Sequence, residues 1–181
     1  MATEGEGGPS GSPSSRMRVQ VFGLQRSGTH YLRGVIDLSL PVMTTKGAAG
    51  WVHGFPDERR RGGHGRKRQS HTIRQRLHLM GITPVVVRKD LDHWLESIRR
   101  KPLDVEDVTG FTWDAPEDTW HAFYEAWSFA ITVRYEDFLE DLPAAVDRLA
   151  HRLGVVPKGY AEPEIVKYSP DWRPEHKERY L

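Results

Sequence analysis

The chain has 181 residues, 38% of them hydrophobic and none of them cysteine, which allows one compact domain and excludes a large multidomain enzyme, disulfides, thiolate catalysis and cysteine-ligated metals. No stretch approaches the roughly 18 apolar residues that a spanning helix needs, which argues against a membrane protein. A net charge of +1 hides segregation: Arg59 to Lys89 carries ten Lys or Arg and no acid, and Asp90 to Asp141 carries fourteen acids against four Lys or Arg, so an anionic ligand is expected near the first block.

Residues 1–16 are Gly, Ser, Pro and Glu with almost nothing to bury, and they read as a disordered tail. They lack the apolar centre of a secretory signal, so residues 17–181 are taken as a single α/β domain and cytoplasmic placement is expected. Folded sequence begins with Val19 to Phe22 as a first strand ended by Gly23. Thr29 opens a helix whose Leu32, Val35, Ile36 and Leu40 recur at helical spacing until Pro41 stops it. The basic run from Glu58 to Arg76 contains Gly62, Gly63 and Gly65 and reads as a flexible loop joining a helix near Thr72 to Met80. Thr83 to Arg88 is a second strand, apolar enough for a parallel sheet covered on both faces. Asp90 is placed to cap the next helix, whose Leu91, Trp94, Leu95 and Ile98 form one apolar stripe.

Trp120, Phe123, Tyr124 and Trp127 make a further helical stripe, read first as core packing and second as an aromatic wall for an acceptor. Ile131 to Tyr135 is the third strand, followed by Glu136 and Asp137 as a solvated acidic turn. Asp141 and Pro143 then start a helix with Val146, Leu149, Ala150 and Leu153 inward, and Gly154 ends it. Strands alternating with helices predict an open parallel sheet flanked by helices. Such sheets bind ligands at the carboxyl ends of their strands.

At the first strand end, Gly23-Leu24-Gln25-Arg26-Ser27-Gly28-Thr29-His30 has the spacing of a phosphate loop between strand and helix, with Arg26 as its only cation and no lysine after the second glycine. Glycines there let backbone N–H groups turn toward an anion, and the helix start adds its dipole. Arg26-Ser27-Gly28-Thr29 resembles the Pro-Lys/Arg-Ser-Gly-Thr loop of sulfotransferases that use 3′-phosphoadenosine 5′-phosphosulfate (PAPS), with Gln25 in place of the proline. Lys89 and Ser97, eight residues apart, are similar to the family's second signature, with Arg88 one residue out of register. Arg134-Tyr135-Glu136-Asp137-Phe138 is similar to the third. The resemblance runs from about Val19 to Gly154 and implies a P-loop NTPase- or kinase-like three-layer sandwich. By it, Arg26, Ser27, Gly28, Thr29 and His30 would hold the 5′-phosphosulfate. Arg88 or Lys89 with Ser97 would hold the 3′-phosphate, and Tyr31 and Tyr135 would lie near the adenine.

Sulfuryl transfer proceeds in line, like phosphoryl transfer, and charge builds on the leaving phosphate oxygen. A fixed cation and backbone donors there are the main stabilisation expected, which gives Arg26 a catalytic role. No metal is called for. An acceptor hydroxyl needs a base, and His53 in Trp51-Val52-His53-Gly54 is the first candidate, with His30 second. The acceptor is expected to be a small molecule or glycan, with a homo-oligomer left open. Aromatics do not interleave the basic run, which argues against nucleic acid. A P-loop nucleotide or small-molecule kinase, or a nucleotide-binding module without turnover, would use the same fold.

Overall fold

The computed structural model describes residues 16–57, 71–100 and 115–163. The tail expected over 1–16 (save Arg16) and residues 58–70 of the basic run lie outside the described residues. Four strands, β1 (Arg18–Phe22), β2 (Met43–Thr44), β3 (Ile82–Arg88) and β4 (Ile131–Arg134), form one sheet in the order β2-β1-β3-β4, and every pairing is parallel. Among the described residues six helices accompany them: α1 (Thr29–Ser39), α2 (Ile73–Leu79), α3 (Leu91–Arg100), α4 (Pro116–Ala126), α5 (Tyr135–Glu140) and α6 (Leu142–Leu153).

Strand pleating divides the core in two. Val19, Val21, Val85 and Val87 pack with Leu32, Val35 and Ile36 of α1 and with Val146, Leu149 and Leu153 of α6. Phe22, Ile82 and Val86 pack on the opposite side with Ile73 and Leu77 of α2, Trp94 and Ile98 of α3, and Phe123 of α4 with the adjoining Trp127. Trp94, Trp127, Phe22 and Phe123 are fully buried, and each such side chain contributes about 2–3 kcal/mol of apolar burial. Among the described residues no helix is long and apolar enough to cross a membrane.

The order of the strands decides where a ligand can sit. The chain leaves β1 to one side for β2, then crosses β1 to reach β3, so the connections diverge between β1 and β3. In open parallel sheets that divergence opens a crevice at the carboxyl ends of the two strands. Pro84 fits within β3 because β4 pairing begins only at Val85↔Ile131, leaving one side of the strand open at the proline.

The structure corrects two expectations and bears out a third. The third predicted strand was to end at Tyr135, but β4 ends at Arg134 and Tyr135 begins α5, because Glu136 and Asp137 fill a first turn whose N–H dipoles favour acids. Glu136 is no part of a solvated turn: it is buried and accepts from the Asp90 N–H at 3.0 Å. Asp90 opens α3 as expected, its carbonyl accepting from the Trp94 N–H at 2.8 Å, while Arg134 donates to its carboxylate at 2.7 and 3.3 Å.

The start of α6 is built as the sequence suggests, with Asp141 accepting from the Ala144 N–H at 3.1 Å and Gly154 ending the helix at φ 67°. Asp141→Ala is expected to cost about 1 kcal/mol, lowering Tm by roughly 2–4 °C for a chain of this size. A thermal melt checks it.

Candidate functional site

The β1–α1 loop is held from three sides. Ser27 donates from Oγ to the Leu24 carbonyl at 2.6 Å, and its N–H meets the same oxygen at 3.1 Å. The Trp94 indole N–H donates to the Gln25 carbonyl at 2.8 Å. A Cβ on Gly23 would lie 2.4 Å from Ser27 Oγ and 2.8 Å from the Val87 carbonyl, so the loop lies directly against β3. Ser27 is therefore buried and occupied with the turn itself. The turn pushes Arg26 outward at φ 68°, a conformation that costs a non-glycine residue about 1 kcal/mol or more. Arg26 is exposed and has no hydrogen-bond or ion-pair partner among the described residues. Gly28 follows at φ 89° as the N-cap of α1, and no side chain caps the helix. The first-turn N–H groups of Thr29, His30 and Tyr31 are thus left for solvent or an anion.

At the end of β3 the two basic residues separate. Arg88, the last residue of β3, stands over the Trp120 ring of α4, and Lys89, just beyond the strand, turns to Ser97 of α3. Lys89 is 5% exposed and donates to Ser97 Oγ at 2.6 Å, while Ser97 donates to the His93 carbonyl. Burial lowers the Lys89 pKa, and the charges of Glu136 and Glu96 oppose that shift. Lys89 Nζ also sits 5.5 Å from the centroid of the Tyr135 ring. That ring is the surface against which Gly28 packs, for a Cβ on Gly28 would fall 2.4 Å from it. Gly28, Tyr135, Lys89 and Ser97 are thus consecutive neighbours, and the first, second and third strand ends meet at the β1/β3 divergence. Tyr31 meets Tyr135 edge to face at 5.7 Å, and its hydroxyl is 3.5 Å from the Phe138 carbonyl. Burial, with Glu162 second, pushes the Tyr31 phenol up to about 12.

His53 Nδ1 lies 2.6 Å from the Gly23 carbonyl. A carbonyl only accepts, so Nδ1 carries the proton and Nε2 keeps its lone pair when the ring is neutral. Burial lowers the His53 pKa, the Gly23 contact opposes it, and His30 lowers it further as a like-charged neighbour. His30 itself is lowered by burial and by Arg33 and Lys46. The two candidate bases are therefore close enough to couple, beside the loop. Both titrate below the ordinary histidine value of 6.5, so their contribution to stability is complete above that pH and is lost as pH falls through the lowered values.

The aromatic stripe of α4 does more than fill the core. Phe123 and Trp127 are buried, but the Trp120 indole donates to the Lys89 carbonyl at 3.0 Å, the Tyr124 hydroxyl to the Val87 carbonyl at 3.2 Å, and the Trp127 indole to the Gly54 carbonyl at 3.2 Å. One helix thus pins the end of β3 and the segment carrying His53. Burial pushes the Tyr124 phenol well above its usual range. Sequence reasoning left these residues as packing. The signal available was three polar-tipped aromatics within eight residues, each needing a partner once buried.

The fold also gathers a group that spacing alone did not. Asp90, His93 and Glu136 place one potential ligand atom each within 4.8 Å of one another. Only Asp90-x-x-His93 was visible along the chain, and Glu136 arrives from the next strand–helix unit. His93 Nδ1 donates to Glu136 at 3.1 Å, Arg134 holds Asp90, and Lys89 faces Glu136. Two cations already offset the two carboxylates, so the arrangement acts as an ionic brace between α3 and α5. Comparison of the chain with protein-family models, curated proteins and solved structures returns no match.

Proposed function

We propose that the chain is a PAPS-dependent sulfotransferase with a P-loop kinase-like fold, moving a sulfonate from the donor to an acceptor hydroxyl or amine. The observation that carries this reading is the meeting of the Arg26–Gly28 turn with the Lys89–Ser97 pair across the Tyr135 ring. A bisphosphorylated adenosine has an anion at each end and a flat base between them. The uncapped start of α1 and Arg26 suit the 5′ end, Lys89 with Ser97 suits the 3′-phosphate, and Tyr31 and Tyr135 offer aromatic surface nearby.

Arg26 and the amides of the loop stabilise charge on the leaving phosphate oxygen. His53 Nε2 accepts the acceptor's proton, with the Gly23 carbonyl holding the ring in the required tautomer. Lys89 is preferred over Arg88 for the 3′-phosphate because it alone meets Ser97. A cytoplasmic setting fits the absence of cysteine and completes the reading.

Calorimetry with 3′-phosphoadenosine 5′-phosphate and with ATP, both without metal, tests it. Binding of the bisphosphate in preference to ATP is expected, and the preference should vanish in Lys89→Met. Tighter ATP binding with magnesium dependence would favour a kinase instead. The acid limb of kcat/KM is expected below pH 6.5, because burial lowers the His53 pKa. His30→Asn should move that limb upward by removing the like-charged neighbour. A limb that stays in place would mean that another group, such as the donor's own phosphate, sets it.

A further inference from the structure

Arg88 is the cation that the donor reading leaves over. Its guanidinium carbon stands 5.6 Å from the centroid of the Trp120 ring, and its Nε is buried without a hydrogen-bond partner. The neighbouring acid, Asp90, gives both oxygens to Arg134. The platform under Arg88 is fixed, because the Trp120 indole is tied to the Lys89 carbonyl and its ring meets Tyr124 edge to face at 4.8 Å. A guanidinium over an indole face at the carboxyl end of a strand, with its Nε–H unfilled among the described residues, is arranged for a two-point contact with an oxyanion. Buried donors without partners are rare, so this one calls for a physical reason.

We infer that Arg88, resting on Trp120, is a subsite for an oxyanion carried by the acceptor: a carboxylate, sulfate ester or phosphate ester. The inference rests on the proposed function for the word acceptor, but the site itself does not. Its neighbours are the argument for acceptor over donor. Lys89 leaves toward Ser97 and Tyr135, whereas Arg88 leaves toward α4, the helix whose Trp127 holds Gly54 beside His53. Phe55 packs against Phe123 on that same helix, with ring centroids 5.4 Å apart. Base and oxyanion subsite therefore share one flank. Trp120 and Trp127 are seven residues apart, roughly 10 Å along the axis, so the acceptor would present its anion at some distance from the hydroxyl or amine that reacts.

Inorganic sulfate is the probe, read by the arginine Nε and tryptophan indole resonances in nitrogen-15 NMR of the full chain. Saturable shifts at Arg88 Nε and Trp120 Nε1 are expected, unchanged when the protein is first saturated with 3′-phosphoadenosine 5′-phosphate. Arg88→Gln should weaken the response at Trp120 by about tenfold or more. No shift at Arg88 Nε would overturn the subsite, and that arm needs no variant to fold. Loss of the shift on adding the bisphosphate would give Arg88 to the donor and overturn the acceptor assignment. Failure of the bisphosphate to bind, with the sulfate shift retained, would sink the proposed function while leaving the oxyanion site standing.

Discussion

Arg26→Ala is expected to lower kcat/KM for sulfuryl transfer by about 100- to 1000-fold, the cost of removing one donor aimed at developing charge. The fold should not notice. Arg26 is exposed, touches no partner among the described residues, and occupies a turn whose hydrogen bonds belong to Leu24, Gln25 and Ser27. Alanine keeps the strained φ of 68°, so Tm should stay where it is. Arg26→Gly removes that strain, about 1 kcal/mol, and should raise Tm by roughly 2–4 °C while losing activity as fully as alanine does. A variant that is more stable and far less active would mark strain retained for function. The measurement is initial rates with PAPS beside a thermal melt. Turnover within a few fold of the parent would remove Arg26 from the transition state and with it the reading of the loop.

Gly28→Ala carries the largest expected effect on stability. The residue sits at φ 89°, where a Cβ costs about 1–2 kcal/mol, and the added carbon would lie 2.4 and 2.5 Å from two atoms of the Tyr135 ring. Overpacking of that kind adds typically 1–3 kcal/mol. Together these are a large share of the roughly 5–15 kcal/mol that holds a domain folded. Pairing the change with Tyr135→Ala separates the two causes. With the ring gone only the backbone strain remains, so the double variant should be less destabilised than the sum of the singles, by about 1 kcal/mol or more. Urea denaturation reads all four corners. Strict additivity would mean that the loop does not rest on Tyr135, and the adjacency of the strand ends would lose its central contact.

Much of the architecture was legible along the chain because it is set by local periodicity. The stripe Leu32, Val35, Ile36 and the run Val85 to Val87 specify an amphipathic helix and a doubly covered strand wherever they occur. Asp141, Pro143 and Gly154 carry the start and stop of α6 in their own backbone chemistry. The two-residue β2 was not legible, since Met43 and Thr44 have no period to show and become a strand only by pairing with Arg18 and Val19. The boundary at Tyr135 failed for a related reason. A β-prone tyrosine was outweighed by the acids behind it, which favour a helix start.

The alternation of strands and helices, the glycine turn with its lone arginine, and the segregation of charge can be read along the chain, because each depends on residues close together in it. That Lys89 turns to Ser97 while Arg88 turns to Trp120, that Glu136 is buried against Asp90 and His93, and that α4 with the adjoining Trp127 ties down the segment bearing His53 emerges from the packed fold. Apart from the Lys89–Ser97 contact, eight positions apart, those facts depend on contacts between residues 31 to 73 positions apart. No local pattern encodes them; they follow from the order in which parallel strands pack.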